Sequence, residues 1–192
     1  MNVSNLTRIE LAGLIGQTLT DHGIDAVLSG GSCVSIYSNE RWVSQDLDLI
    51  DISYADKKKI ITALHTIGFT NRGAGHKYFE HPHCEFTIEF PTAPLMIGDE
   101  HVVDEGIVHM ATDSGVFKLL SATNCIKDRL ASYIHWDDLQ CLEQARDVAH
   151  LQTVDMNNIQ SWLSSEGSAI DARVLLAKPP PQTTDDSLSL KP

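Results

Sequence analysis

The run Asp46-Leu47-Asp48-Leu49-Ile50-Asp51 restricts the fold of this chain more than any other. Its acidic and apolar residues alternate with a period of two, which suits a β-strand and not a helix. Successive side chains on a strand point to opposite faces. Asp46 and Asp48 therefore share one face, and Leu47 and Leu49 enter a core on the other. Two carboxylates so close together repel, which lowers stability unless a cation neutralises them. The strand must belong to a sheet with one buried side, and its acidic side calls for a positive partner.

A second feature lies just upstream. Ile24-Asp25-Ala26-Val27-Leu28-Ser29 reads as a short buried strand, Gly30-Gly31 ends it, and Ser32 caps a helix running through Tyr37. Glycines between a strand and a helix let the backbone approach a phosphate closely. The helix N-terminus adds N–H donors and the favourable end of its dipole, and the Ser32 hydroxyl adds one more donor. A Gly-Gly-Ser turn alone is more often only a tight turn, and Asp-x-Asp can be a solvated face. Together they outline a phosphate site beside paired carboxylates, a setting for Mg²⁺, which favours carboxylate and phosphate oxygens.

A third acid would complete a two-metal site. In Cys84-Glu85-Phe86-Thr87-Ile88-Glu89-Phe90 apolar residues alternate with Glu85, Thr87 and Glu89. Glu89 is the preferred candidate because the strand is most apolar around it. Glu85, on the same face, competes with it.

The remaining periodicity gives an α+β architecture, a mixed β-sheet with flanking helices and a helical C-terminal region. Leu6 to Asp21 and Ala55 to Ile67 read as amphipathic helices, closed by Gly23 and Gly68. Lys77 to Glu80 and Glu85 to Phe90 form a hairpin around His81-Pro82-His83, and Val102 to Met110 and Gly115 to Leu119 are strands or turns. Helices follow over Ser121 to Trp136, from Asp137 or Asp138 to Leu151, and from Asp155 to Leu163. Residues 1–120 form the core and 121–177 a helical region packed on it. Residues 178–192, opening Lys178-Pro179-Pro180-Pro181, read as a disordered tail.

The formal charge of −12 argues against non-specific nucleic-acid binding. A bound Mg²⁺ would reverse the local sign at a nucleotide site. No apolar run reaches the roughly 18 residues of a membrane span, and the N-terminus lacks a signal-peptide layout, so a cytoplasmic protein is expected. Cys33, Cys84, Cys125 and Cys141 include no CxxC pair and read as reduced thiols. His81-Pro82-His83-Cys84 reads as a turn before a metal site.

Leu28-Ser29-Gly30-Gly31-Ser32, followed after 13 residues by Asp46-Leu47-Asp48-Leu49, resembles the signature of the DNA polymerase beta-type nucleotidyltransferase superfamily. Within it the chain is most similar to the AbiEii-like toxins of bacterial abortive-infection and toxin–antitoxin systems. That likeness extends to Cys125-Ile126-Lys127-Asp128-Arg129-Leu130 and His135-Trp136-Asp137-Asp138. The resemblance implies a nucleotidyltransferase-like fold and Mg²⁺ (or Mn²⁺) held by Asp46, Asp48 and Glu89. It implies a nucleoside triphosphate bound by Gly30, Gly31, Ser32, Lys127 and Arg129, with Lys118 in support. It further implies an acceptor hydroxyl on tRNA or other RNA, a protein or a small molecule, and an antitoxin protein as partner. The alternative is a catalytically inactive member of the fold that binds a nucleotide or a partner. Read without the family, Lys127 and Arg129 fit a solvated helix face, and His135 to Asp138 a capped helix start with a packed tryptophan.

Overall fold

Every α-helix of the described residues but α2 starts where a side-chain oxygen takes up free N–H groups of the first turn. A computed structural model describes residues 3–72 and 77–177. Helix α1 (Arg8–Asp21) opens on Thr7, which forms a reciprocal capping box with Glu10. Strand β1 (Ala26–Ser29) runs directly into α2 (Gly30–Tyr37), and β2 (Asp46–Asp51) follows. Helix α3 (Lys57–His65) is capped by Asp56. Strands β3 (Thr70–Arg72), β4 (Tyr78–Glu80) and β5 (Thr87–Glu89) come next, then a small hairpin of β6 (Met96–Ile97) and β7 (Glu100–His101). Beyond a 3₁₀ turn at Asp104–Gly106 lie β8 (Ile107–Thr112) and β9 (Gly115–Leu120). The C-terminal helices are α4 (Ala122–Trp136), α5 (Leu139–Leu151), α6 (Met156–Ser165) and α7 (Ala172–Leu176), capped by Ser121, Asp138, Asp155 and Asp171.

Among the described residues the main sheet has seven strands in the order β3-β4-β5-β2-β1-β9-β8. Strand β1 is central, antiparallel to β2 and parallel to β9, while β2 pairs in parallel with β5. The sheet is therefore mixed, and the chain is α+β as its periodicity requires. Val27 and Leu28 of β1 are both fully buried, as expected of a strand covered on two faces. Helix α1 lies unusually close to β9. A Cβ on Gly16 would stand 2.7 Å from Phe117 Cα, and one on Gly13 would stand 3.0 Å from the Gly115 carbonyl. Only bare Cα atoms allow that approach.

Helix α4 packs on α2 and β9, α5 packs on α2 and α4, and α6 and α7 close over them. Polar links cross the same boundary: Tyr37 Oη donates to the Leu120 carbonyl at 2.7 Å, and Gln152 Nε2 donates to the Tyr37 carbonyl at 2.8 Å. Trp162, almost wholly buried, donates to the Ile97 carbonyl.

Several sequence readings need correction. Strand β1 begins at Ala26; the Asp25 amide donates to Ser53 Oγ and not into the ladder. Strand β5 begins at Thr87, which leaves Glu85 in an exposed bend. The segment Val102 to Met110 divides at the 3₁₀ turn, and the β6–β7 hairpin, β3 and α7 carry no readable periodicity. The tail at 178–192 lies outside the described residues. All four cysteines are free, three of them buried.

Candidate active site

The acidic face of β2 is assembled by strand register. Asp48 stands opposite Ser29 on β1 and opposite Glu89 on β5, and Asp46 stands opposite Thr87. In-register neighbours share a face, so Asp46, Asp48 and Glu89 lie on one side of the sheet. Leu47, Leu49 and Ile88 are buried on the other. Glu85, outside β5, has no such register.

The turn after β1 seals one wall of this cleft. Gly30 has φ of +64°, and a Cβ placed on it would stand 2.1 Å from Asp48 Oδ2. A side chain at this position is excluded by both the backbone conformation and the carboxylate. Gly31 faces Ser44, whose Oγ would lie 2.9 Å from an added Cβ.

Ser32 behaves differently from its sequence reading. Helix α2 already begins at Gly30, with Ser29 at the cap position, so Ser32 is inside the first turn and fully buried. Its hydroxyl donates to the Asp46 carbonyl at 2.5 Å and accepts from Arg8 Nη1 at 3.1 Å. Ser32 thus fixes the start of β2 against α2, and its hydroxyl is already occupied.

Arg8 is the residue that sequence reasoning missed. It is 3% exposed, and its guanidinium reaches Glu40, Ser32 and, at 2.6 Å, the Ser44 carbonyl. It also stacks 4.8 Å from the centre of the Phe86 ring. A signal was present in the sequence: a basic residue in the first turn of a helix opposes the helix dipole, so another attraction must hold it there.

The cleft is electrostatically strained. Burial first, then Glu89 and Asp46, push the Asp48 carboxyl up to about 6, with Arg129 acting the other way. Tyr78, opposite Glu89 on β4, hydrogen-bonds to that carboxylate, which raises the phenol above its ordinary value.

The C-terminal cations divide. Arg129 forms an ion pair with Asp128, touches Cys141 Sγ at 3.6 Å, and is only 15% exposed at its side chain. Burial opposes its charge, but Asp128 more than restores it, so its pKa is raised. It bears directly on Asp48 and does not lie on a solvated face. Lys127 is turned elsewhere. Two positions apart on a helix means about 200° of rotation, and the Lys127 ammonium is buried against Glu100 of β7 at 2.8 Å. It cannot reach a triphosphate without breaking that pair. Lys118 is likewise committed, to Asp25 at 2.7 Å, at the end of β1 remote from Gly30.

His135 pairs with Glu166, Asp137 closes α4 in a left-handed conformation, and Asp138 caps α5. Trp136 is 81% exposed and is not packed. His81 accepts from the His83 amide in a hairpin turn.

Chemically the three cleft acids suit a hard divalent cation. The raised Asp48, packed against the bare Cα of Gly30, is a carboxyl whose charged form is disfavoured until a cation neutralises its neighbours. As they stand, among the described residues no group of three His, Cys, Asp or Glu side chains is placed to hold a metal ion. No helix among the described residues is long and apolar enough to cross a membrane.

A mixed seven-stranded sheet with this helical arrangement defines a nucleotidyltransferase-like fold. The chain is similar to an antigenic nucleotidyltransferase-like protein from Paracoccidioides brasiliensis, with a TM-score of 0.56 and 14% identity over 90% of this chain and 93% of that one. It also aligns with ANT(2'')-Ia, an antibiotic-resistance factor, with a TM-score of 0.48 and 14% identity over 92% and 91% of the two chains. At this identity the likeness is one of fold. No protein-family model matches the sequence, and comparison with curated proteins finds no match.

Proposed function

We propose that this protein is a nucleotidyltransferase that moves a nucleoside monophosphate from a nucleoside triphosphate to an acceptor hydroxyl. The observation that carries the reading is the bare Cα of Gly30 against the Asp48 carboxylate, with Glu89 in register on the next strand. Asp46, Asp48 and Glu89 would hold Mg²⁺ or Mn²⁺, which would neutralise phosphate charge and polarise the reacting phosphorus. The acceptor oxygen bonds to the α-phosphorus, the bond to the β-phosphate bridge breaks, and pyrophosphate leaves. The acceptor proton passes to a cleft carboxylate. Gly30 and Gly31 bring backbone N–H groups to the phosphates, and Arg129 offsets the charge of the cleft. The motif likeness to AbiEii-like proteins extends the reading to the toxin of a two-gene module with a protein antitoxin.

The test is transfer of label from α-³²P nucleoside triphosphates, with Mg²⁺ or Mn²⁺, to tRNA, to protein and to the chain itself. Loss of transfer in Asp48→Asn and Glu89→Gln, with folding retained, supports the reading. Equal transfer by the wild type and both variants overturns it.

A second reading, a non-catalytic nucleotide- or partner-binding module, is favoured by the pairing of Lys127 with Glu100 and of Lys118 with Asp25. All three cations expected at the triphosphate are engaged with acids of the chain, Arg129 with its neighbour Asp128. Saturable, metal-dependent nucleotide binding without pyrophosphate release would identify this case.

A further inference from the structure

A cavity of about 360 Å³ opens where β2 ends, at Asp51. Three residue steps of strand lead from Asp48 to Asp51, which is about 10 Å along β2, so this cavity is distinct from the acid cleft. Its volume falls within the range of small-molecule sites. Ile60, Phe90 and Pro91 make an apolar floor, and the first two are 7% and 8% exposed.

Two lysines, Lys57 and Lys77, also line it. Lys77 donates to Thr92 Oγ1 at 3.1 Å, and neither ammonium forms an ion pair among the described residues. In a chain with 14 basic and 26 acidic residues, two unpaired cations on one apolar cavity are a local reversal of sign. The one acid in the lining, Asp51, is already occupied. Its Oδ1 accepts from the Ser53 amide and hydroxyl, and its Oδ2 accepts from the Ala55 amide at 2.6 Å. That turn holds Tyr54 at φ of +52°, and the residue is 73% exposed beside the cavity. A left-handed non-glycine residue persists only where its surroundings fix it.

We propose that this cavity is a second binding site for a small organic monocarboxylate. A flat apolar body rests on Ile60, Phe90 and Pro91 with Tyr54 against its edge, and the carboxylate lies between Lys57 and Lys77. Apolar contact supplies affinity, and the two ammonium groups select an anion over its neutral counterpart.

The experiment titrates the full chain with 2-naphthoate and, separately, with its neutral isostere 2-naphthamide, following backbone amides by NMR. The expected result is saturable shifts confined to residues 51–60, 77 and 90–93, with naphthoate binding about five-fold tighter than the amide. The Lys57→Gln/Lys77→Gln variant keeps the spectrum of the folded chain and loses that preference. Shifts centred elsewhere, absence of saturation, or an unchanged preference in the double variant would overturn the proposal. Because both lysines stand apart from the acid cleft, nucleotidyl transfer is unaffected by either result.

Discussion

An Asp48→Asn substitution removes a charge from the acid cleft and keeps nearly the same shape. In the folded chain burial, Glu89 and Asp46 push this carboxyl from an ordinary 3.8 up to about 6. The folded state therefore holds the proton more tightly than the unfolded state, and ionisation of Asp48 lowers stability. The effect is nil below the unfolded value, where both states are protonated. It grows as pH rises through the interval and is complete above about 6. The separation of the two values corresponds to about 3 kcal/mol, and solvent screening at this partly exposed group reduces it to about 2 kcal/mol. The asparagine variant carries no such penalty. It should be more stable than the wild type by about 2 kcal/mol at neutral pH and indistinguishable from it near pH 4. For a chain of this size that is about 4–8 °C in Tm. Metal-free thermal melts followed by circular dichroism across pH measure the difference. Mg²⁺ with a nucleotide should then raise the wild-type Tm and leave the variant nearly unchanged. A gap that does not vary with pH, or a variant destabilised by about 1–3 kcal/mol as a lost buried hydrogen-bonding group would be, refutes the electrostatic reasoning.

Gly30→Ala should destabilise by about 2–4 kcal/mol, combining left-handed strain with displacement of the Asp48 carboxylate. Adding Asp48→Ala should restore the second part alone, so a strictly additive double-mutant cycle would count against the contact. Arg8→Met should lower stability by about 2–4 kcal/mol, since Glu40 and the Ser44 carbonyl lose their donor. Arg8→Lys should recover less than half in chemical melts, because an ammonium cannot reproduce the fork, and full recovery would show that charge alone matters. Glu100→Gln, which strands the buried Lys127 ammonium, should destabilise by about 1–3 kcal/mol, whereas Lys127→Met should be near neutral. Both should keep the nucleotide-induced thermal shift, and its loss in Lys127→Met would return that residue to the triphosphate.

What the sequence revealed follows from the range of each signal. The acidic strand and the Gly-Gly turn were legible because their constraints are local, a period of two and a backbone without Cβ. Helices α4, α5 and α6 could be bounded by their capping residues for the same reason. The relation of Glu89 and Glu85 to Asp48 was not legible. Both acids share a periodicity, and only the pairing of β5 with β2 sets one of them opposite Asp48. Ser32 was misread because Gly30 enters the helix two residues earlier, which turns the hydroxyl inward. Lys127 looked available because Glu100 lies on a two-residue strand too short for any pattern. The parallel pairing of β1 with β9 joins residues from distant parts of the chain, and nothing local encodes it.

The close seat of α1 on β9 has a mechanical consequence. With no side-chain layer between Gly16 and Phe117, the helix cannot slide or roll without backbone collision. Its first turn carries Arg8 under the Gly-Gly-Ser turn, so the turn inherits the rigidity of the sheet through one guanidinium. A fusion partner joined ahead of Val3 leaves this anchorage intact. A deletion that removes Thr7 and Arg8 keeps most of the hydrophobic core and cuts the guanidinium link between Ser32 and the Ser44 carbonyl, leaving their shared bonds to the Asp46 carbonyl.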